Sequence, residues 1–198
     1  MDGLRENLQA VISLGPRLKF CRRRPETDRT AETRSHSMQE AQHLQGHWPA
    51  LDYARWRDTL QTLHLWTQIV GKVRLTLSPW LNHGWQVPLY VTARGLGTTA
   101  IHAAGGLLEI EFDFIDHRLV VRNSQGPDRG FALVPMSVAS FYRQLMNQLE
   151  AAGFAVAINP MPNEVPEPIR FPDDELHASY DGDAVHRFWR ALVQVDRV

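Results

Sequence analysis

From Asp52 onward the apolar positions fall at Trp56, Leu60, Leu63, Trp66, Ile69, Val70, Val73 and Leu77, spaced by threes and fours. One stripe at that spacing predicts a long amphipathic helix, with Asp52 as N-cap and Pro79 just past the last turn. Gly71 inside it costs about 1 kcal/mol against alanine, which marks a close contact or a break. The pattern then changes to period two. Residues 85–94 set Val87, Leu89, Val91 and Ala93 on one face and Tyr90, Thr92 and Arg94 on the other. Residues 107–114 set Leu108, Ile110, Phe112 and Phe114 toward a core and Glu109, Glu111 and Asp113 away from it. Asp116-His117 is a two-residue break before 118–122, which reads as the hairpin partner. A Gly/Pro loop at 124–130 leads to a short strand at 131–134.

Ser137 then begins a helix that runs to about Ala152. Its stripe is Val138, Phe141, Leu145 and Leu149, and Gly153 stands at the C′ position. Residues 154–158 read as a fifth strand. Residues 159–183 carry Pro160, Pro162, Pro166 and Pro168 with seven acids against one arginine, an extended and solvated connection. A last helix runs from Asp183, with Val185, Phe188, Trp189, Leu192 and Val193 as its apolar face. These elements predict an α+β fold: a mainly antiparallel sheet of about five strands, with helices packed on one face. The strands 85–94, 107–114, 117–122 and 131–134 form a meander in this reading, and 154–158 joins an edge.

The first 46 residues break the pattern. Leu4, Leu8, Val11 and Ile12 suit a short helix ended by Gly15-Pro16. Residues 17–46 then hold Arg22-Arg23-Arg24 and few apolar side chains, too few to offset an ordering entropy of roughly 1–2 kcal/mol per residue. Residues 1–46 are therefore read as a partly disordered N-terminal extension, and 47–198 as a single α+β domain. The arginine triplet is either a phosphate-binding arm or a solvated tail. With no aromatic or second basic cluster beside it, the tail is preferred.

Composition narrows the classes. The 198 residues carry a formal net charge of −1, which gives no global attraction for nucleic acid or anionic lipid, so no nucleic-acid partner is expected. No apolar run approaches the roughly 18 residues of a membrane span, so no membrane partner is expected either. The single cysteine, Cys21, excludes an internal disulfide framework. Asp2 and Glu6 stand where a secretory signal carries basic residues, and a cytoplasmic location is the default.

Several longer runs are similar to a bacterial family. They are Leu63-His64-Leu65-Trp66-Thr67-Gln68-Ile69-Val70-Gly71-Lys72, Pro79-Trp80-Leu81-Asn82-His83, Tyr90-Val91-Thr92-Ala93-Arg94-Gly95-Leu96, Phe112-Asp113-Phe114-Ile115-Asp116-His117 and His177-Ala178-Ser179-Tyr180-Asp181. The family they resemble is domain of unknown function 5996, over about residues 47–198. The resemblance implies no activity, cofactor or site. It does imply that members continue past the last residue here, which makes the domain a candidate C-terminal truncation with an uncovered final helix and self-association through it.

Gly95-Leu96-Gly97-Thr98-Thr99-Ala100 matches a dinucleotide fingerprint after a strand, but residues 95–106 leave no room for the crossover helix that reading needs. Asp113, Asp116 and His117 suit an oxygen- and nitrogen-rich metal site at a strand end, or simply a polar turn. The acids Glu109, Glu111 and Asp113, spaced about 6.7 Å apart along one strand face, read best as a solvated row answered by Arg94 or Arg122 across the sheet. No cofactor or metal can be named.

Two functions of different class follow. The first is a cytoplasmic enzyme or small-molecule-binding protein whose pocket lies where the 52–77 helix, the Trp80–Trp85 turn and the polar strand face meet. Its catalytic candidates are His64, His83, Asp113, Asp116, His117 and His177; its ligand-binding candidates are Arg94, Tyr90, Trp66 and Asn82. The second is a non-catalytic interaction module whose acidic loop and tryptophan edge meet a protein partner. Convergence of the candidates on one concave pocket favours the first, and scatter favours the second.

Overall fold

Asp52 opens the first helix as the spacing requires. Its carboxylate accepts the Ala54 N–H at 3.0 Å, and α1 runs over Tyr53–Leu77. The computed structural model describes residues 48–197. The extension expected over 1–46, with its short helix and arginine triplet, lies outside the described residues. After α1 comes a turn of 3-10 helix at Asn82–Gly84. Six strands follow: β1 (Tyr90–Val91), β2 (Gly95–Gly97), β3 (Ile101–Ala103), β4 (Gly106–Asp113), β5 (Arg118–Asn123) and β6 (Arg129–Ala132). Then come α2 (Val138–Ala151), a second 3-10 turn at Phe171–Asp173, and α3 (Gly182–Val195).

All strand pairs are antiparallel, in the order β1-β2-β4-β5-β6, with β3 also paired to β4. This is the expected α+β class. β2 and β3 lie along the same neighbour, broken at Thr98. The Thr98 N–H donates to Ile110 O at 3.0 Å, and the Thr98 hydroxyl accepts the Ile110 N–H at 3.0 Å. One threonine thus satisfies both ladder groups of Ile110 across the interruption, where Thr99 turns to φ 58°.

One sheet face carries the core. Leu108, Ile110, Phe112, Leu119 and Val121 are fully buried beneath α1 and α2. A run of stacked rings ties the layers together. Tyr180 lies on Trp66 (centroids 5.6 Å), Trp66 on Phe141 (4.7 Å) and Phe141 on Phe112 (6.0 Å). Each such pair adds about 0.5–1.5 kcal/mol beyond the area it buries. The buried hydroxyls of α1 fix the approach to α3. Thr59 shares a hydrogen bond with the Ser179 hydroxyl and accepts the Asp181 N–H, while Thr62 accepts the Ser179 N–H. Asp181 then caps α3 by accepting the Ala184 N–H at 3.0 Å.

Several boundaries differ from the sequence expectation. Of 85–94, only Tyr90–Val91 is strand. Pro88 has no N–H to give a ladder, and its carbonyl is taken by the Arg74 guanidinium. The run 95–106, too short for a crossover helix, supplies β2 and β3. Residues 154–158 pair with no strand among the described residues. Their alternation is genuine burial, since Phe154 and Ile158 face the core, but the segment is single. Its start belongs to the end of α2: Gly153 (φ 88°) donates to Glu150 O and the Phe154 N–H donates to Leu149 O, both at 2.9 Å. That is a Schellman ending, with Phe154 as its hydrophobic anchor. The β4–β5 loop is four residues, not two, because Asp113 pairs directly with Arg118. β6 begins at Arg129, two residues before the expected strand, and α3 begins one residue early, at Gly182.

Candidate functional site

Every fourth residue on one flank of α1 is polar: His64, Gln68 and Lys72. This flank borders a cleft of about 1160 Å³ between α1, the 80–89 connection, the β1–β2 pair and α3. Its apolar wall includes Leu63, Val87, Leu89, Leu96, Phe188 and Leu192. Gly71 makes this wall by its lack of a side chain. A Cβ there would stand 3.3 Å from Val87 Cγ1, so the 80–89 connection packs directly on the helix. Trp80 and His83 form a lip, with His83 held in the left-handed region at φ 55°.

The opposite lip is Asn163–Glu164, and it is clasped to α1 at one residue. Asn163 N–H donates to Gln68 Oε1 at 2.8 Å, and Gln68 Nε2 donates to Asn163 O at 2.9 Å. Lys72 Nζ adds a bond to Asn163 Oδ1 at 2.5 Å. Partial burial lowers the Lys72 ammonium from its ordinary pKa.

The remaining candidates lie elsewhere. Arg94 Nε meets Asp113 at 2.5 Å, and its Nη2 meets Asp116 at 2.7 Å. Burial works to raise the Asp113 carboxyl, but the bonds from Arg94 and from the Asp116 and Ile115 amides outweigh it and hold the pKa below the ordinary range. Thr92 donates to Glu111 at 2.7 Å, and Arg122 pairs with Glu111 at 2.7 Å and Glu109 at 3.5 Å. The acidic row is therefore answered across the sheet by Arg94 and Arg122, as its alternation suggests. It is not a solvated row throughout, since Glu111 and Asp113 are only 6% and 5% exposed. Their partners lie over them, because β2 presents the side-chain-free Gly95 and Gly97 opposite Asp113 and Glu111.

His117 stands apart from these acids. Its Nδ1 is 2.9 Å from the Tyr180 hydroxyl, and its ring packs against Gly182, where a Cβ would come within 2.9 Å. Burial, and to a smaller degree the Asp113 charge, pushes the Tyr180 hydroxyl above its ordinary pKa. Among the described residues, no three of His, Cys, Asp and Glu are grouped to hold a metal ion. His177 Nδ1 lies 2.8 Å from the buried Asp174 carboxylate, which also accepts the Leu176 and His177 amides. Trp66 is wholly buried in the ring stack. Tyr90 lies under the Arg74 guanidinium at 5.1 Å, and Asn82 is exposed in the 3-10 turn. Of the predicted site residues, His64 and His83 line the cleft together, and the others lie apart: Arg94 with Asp113 and Asp116, His117 with Tyr180, His177 with Asp174, Trp66 in the ring stack, Tyr90 under Arg74 and Asn82 in the 3-10 turn.

A family described as of unknown function, DUF5996, matches residues 48–198. The chain belongs to DUF5996. No curated protein and no solved structure matches it. Within this DUF5996 domain the sequence reading missed Gln68, Lys72 and Asn163 as cleft residues. The first two carry a legible signal, the spacing of four from His64 beside the apolar stripe. Asn163 carries none, because only the folded chain brings it to α1. No helix among the described residues is long and apolar enough to cross a membrane.

Proposed function

We propose that this protein binds a small, largely apolar molecule in the cleft beside α1. The observation that carries this reading is the cleft itself: about 1160 Å³, walled by aliphatic side chains and Phe188, with polar groups gathered along the His64–Lys72 flank. That combination of apolar wall and few placed polar groups is the usual make-up of a small-molecule site. A catalytic role remains a finer proposal, for which His64 and His83 are the candidates in place. The cytoplasm is the proposed location.

The experiment is titration with Nile red, a neutral apolar dye, followed by its fluorescence. Saturable binding is expected. Leu192→Glu, at a half-buried wall position of α3, should weaken it about tenfold, a loss of about 1.4 kcal/mol, with the melting temperature nearly unchanged. Absence of saturable binding overturns the reading.

One observation favours the interaction module as a second reading. Trp80 and Trp85 are 71% and 69% exposed beside the cleft, and large exposed aromatics are typical of protein contacts. Self-association through α3 is a further proposal, supported by the half-covered Phe188, Trp189, Leu192 and Val193 and the exposed Val195.

A further inference from the structure

The charged and ring nitrogens of the polar flank, Lys72 and His64, are donors, and the clasp at Asn163 is what orders them. Gln68 makes two bonds to the Asn163 backbone, one as donor and one as acceptor. Those bonds fix which end of its carboxamide is nitrogen. Gln68 Nε2 is therefore a donor where it meets His64 Nε2 at 3.2 Å. The His64 Nε2 must accept, and a neutral imidazole that accepts at Nε2 carries its proton on Nδ1. His64 thus carries its N–H on Nδ1, and its side chain lines the cleft. Lys72 offers more. One of its three N–H groups goes to the neutral oxygen of Asn163, and among the described residues no carboxylate forms an ion pair with it. Gln68 Oε1, Asn163 O and Asn163 Oδ1 each already accept a bond, and Gln61 and the Thr67 hydroxyl complete the polar lining with neutral groups. The nearest anionic competitor in the lining is Glu164, which is exposed at the outer lip.

We infer that the cleft's occupant is an elongated apolar molecule ending in a carboxylate, with its chain along Val87, Leu96 and Leu192 and its carboxylate received by Lys72 Nζ and the His64 N–H. This rests on the cleft reading above. A carboxylate supplies only acceptors, which is what two donors without partners require, and a charge-assisted bond to an ammonium is about twice as strong as a neutral one. An alcohol satisfies fewer of these donors, and an amine repels Lys72.

Decanoate, decanol and decylamine share one apolar chain and differ in the head group, so their displacement of Nile red separates the two readings. Decanoate is expected to bind about tenfold tighter than decanol and tighter still than decylamine. Lys72→Gln should erase the preference for decanoate over decanol, and Lys72→Arg should keep it. Equal binding of decanoate and decanol overturns the head-group inference and leaves the cleft reading standing. Tightest binding of decylamine also overturns it, and points to Glu164 as the reader of a cation. Bound dye that none of the three displaces overturns it as well. A protein that binds no Nile red ends both readings at once.

Discussion

Asp113 concentrates more contacts on one carboxylate than any neighbour in its row. It receives Arg94 and the amides of Ile115 and Asp116, and it is almost fully buried. Because these bonds hold its folded pKa below the ordinary value of 3.8, its contribution to stability is fully present above that value. The contribution is lost as pH falls through the depressed one. Asp113→Asn should cost about 1–2 kcal/mol at neutral pH, and the gap from the parent should close as the pH drops below the carboxylate range. Urea denaturation at a series of pH values checks this; a gap that is constant with pH overturns it. The pairing of this row with Arg94 and Arg122 was legible in the sequence, because alternation alone puts all these side chains on one face. Its burial was not. That depends on Thr92 lying across the glycine lane of β2, where a Cβ on Gly97 would stand 3.1 Å from Thr92 Cγ2.

At the scale of elements, the helices were the most legible, since α1, α2 and α3 each carry a stripe and an oxygen-bearing cap residue. The strands were less so, because alternation reports which side of a segment is buried and not whether another strand lies alongside. Residues 154–158 alternate without a partner. Residues 95–97 pair without alternation, since two of the three are glycines. Gly95 makes that pairing tight. A Cβ there would stand 1.8 Å from Phe112 O, inside any allowed contact. Gly95→Ala is expected to cost at least about 2–3 kcal/mol and to free the β1–β2 hairpin from β4. Hydrogen exchange at the Phe114 N–H, which donates to Arg94 O at 2.8 Å, should speed up with it. Unchanged stability and exchange would show that β2 tolerates the displacement.

For the whole molecule, sequence reasoning placed a pocket beside the first helix and the Trp80–Trp85 turn, and the cleft lies there. It also gathered the hairpin acids and His117 into that pocket, which they do not line. Sequence order carries no information on which sheet face a helix covers, and the hairpin end belongs to the other face and to the start of α3. The same helix carries the proposal of self-association. Its buried end is Ala184 and Val185, while Val195 is 59% exposed. Light scattering is expected to show the apparent mass rising with concentration, and Val195→Glu should suppress the rise. A constant monomer mass sinks that proposal. The single clasp between Gln68 and Asn163 sets a different quantity, the share of time the cleft stands unfastened. Two hydrogen bonds worth about 1 kcal/mol each and the Lys72 ammonium bond worth about 1.5 kcal/mol leave roughly one molecule in four hundred unclasped at any instant. Exchange of the Asn163 amide should therefore be slowed only about four-hundredfold, so a guest waits for a local fluctuation and not for the domain to unfold.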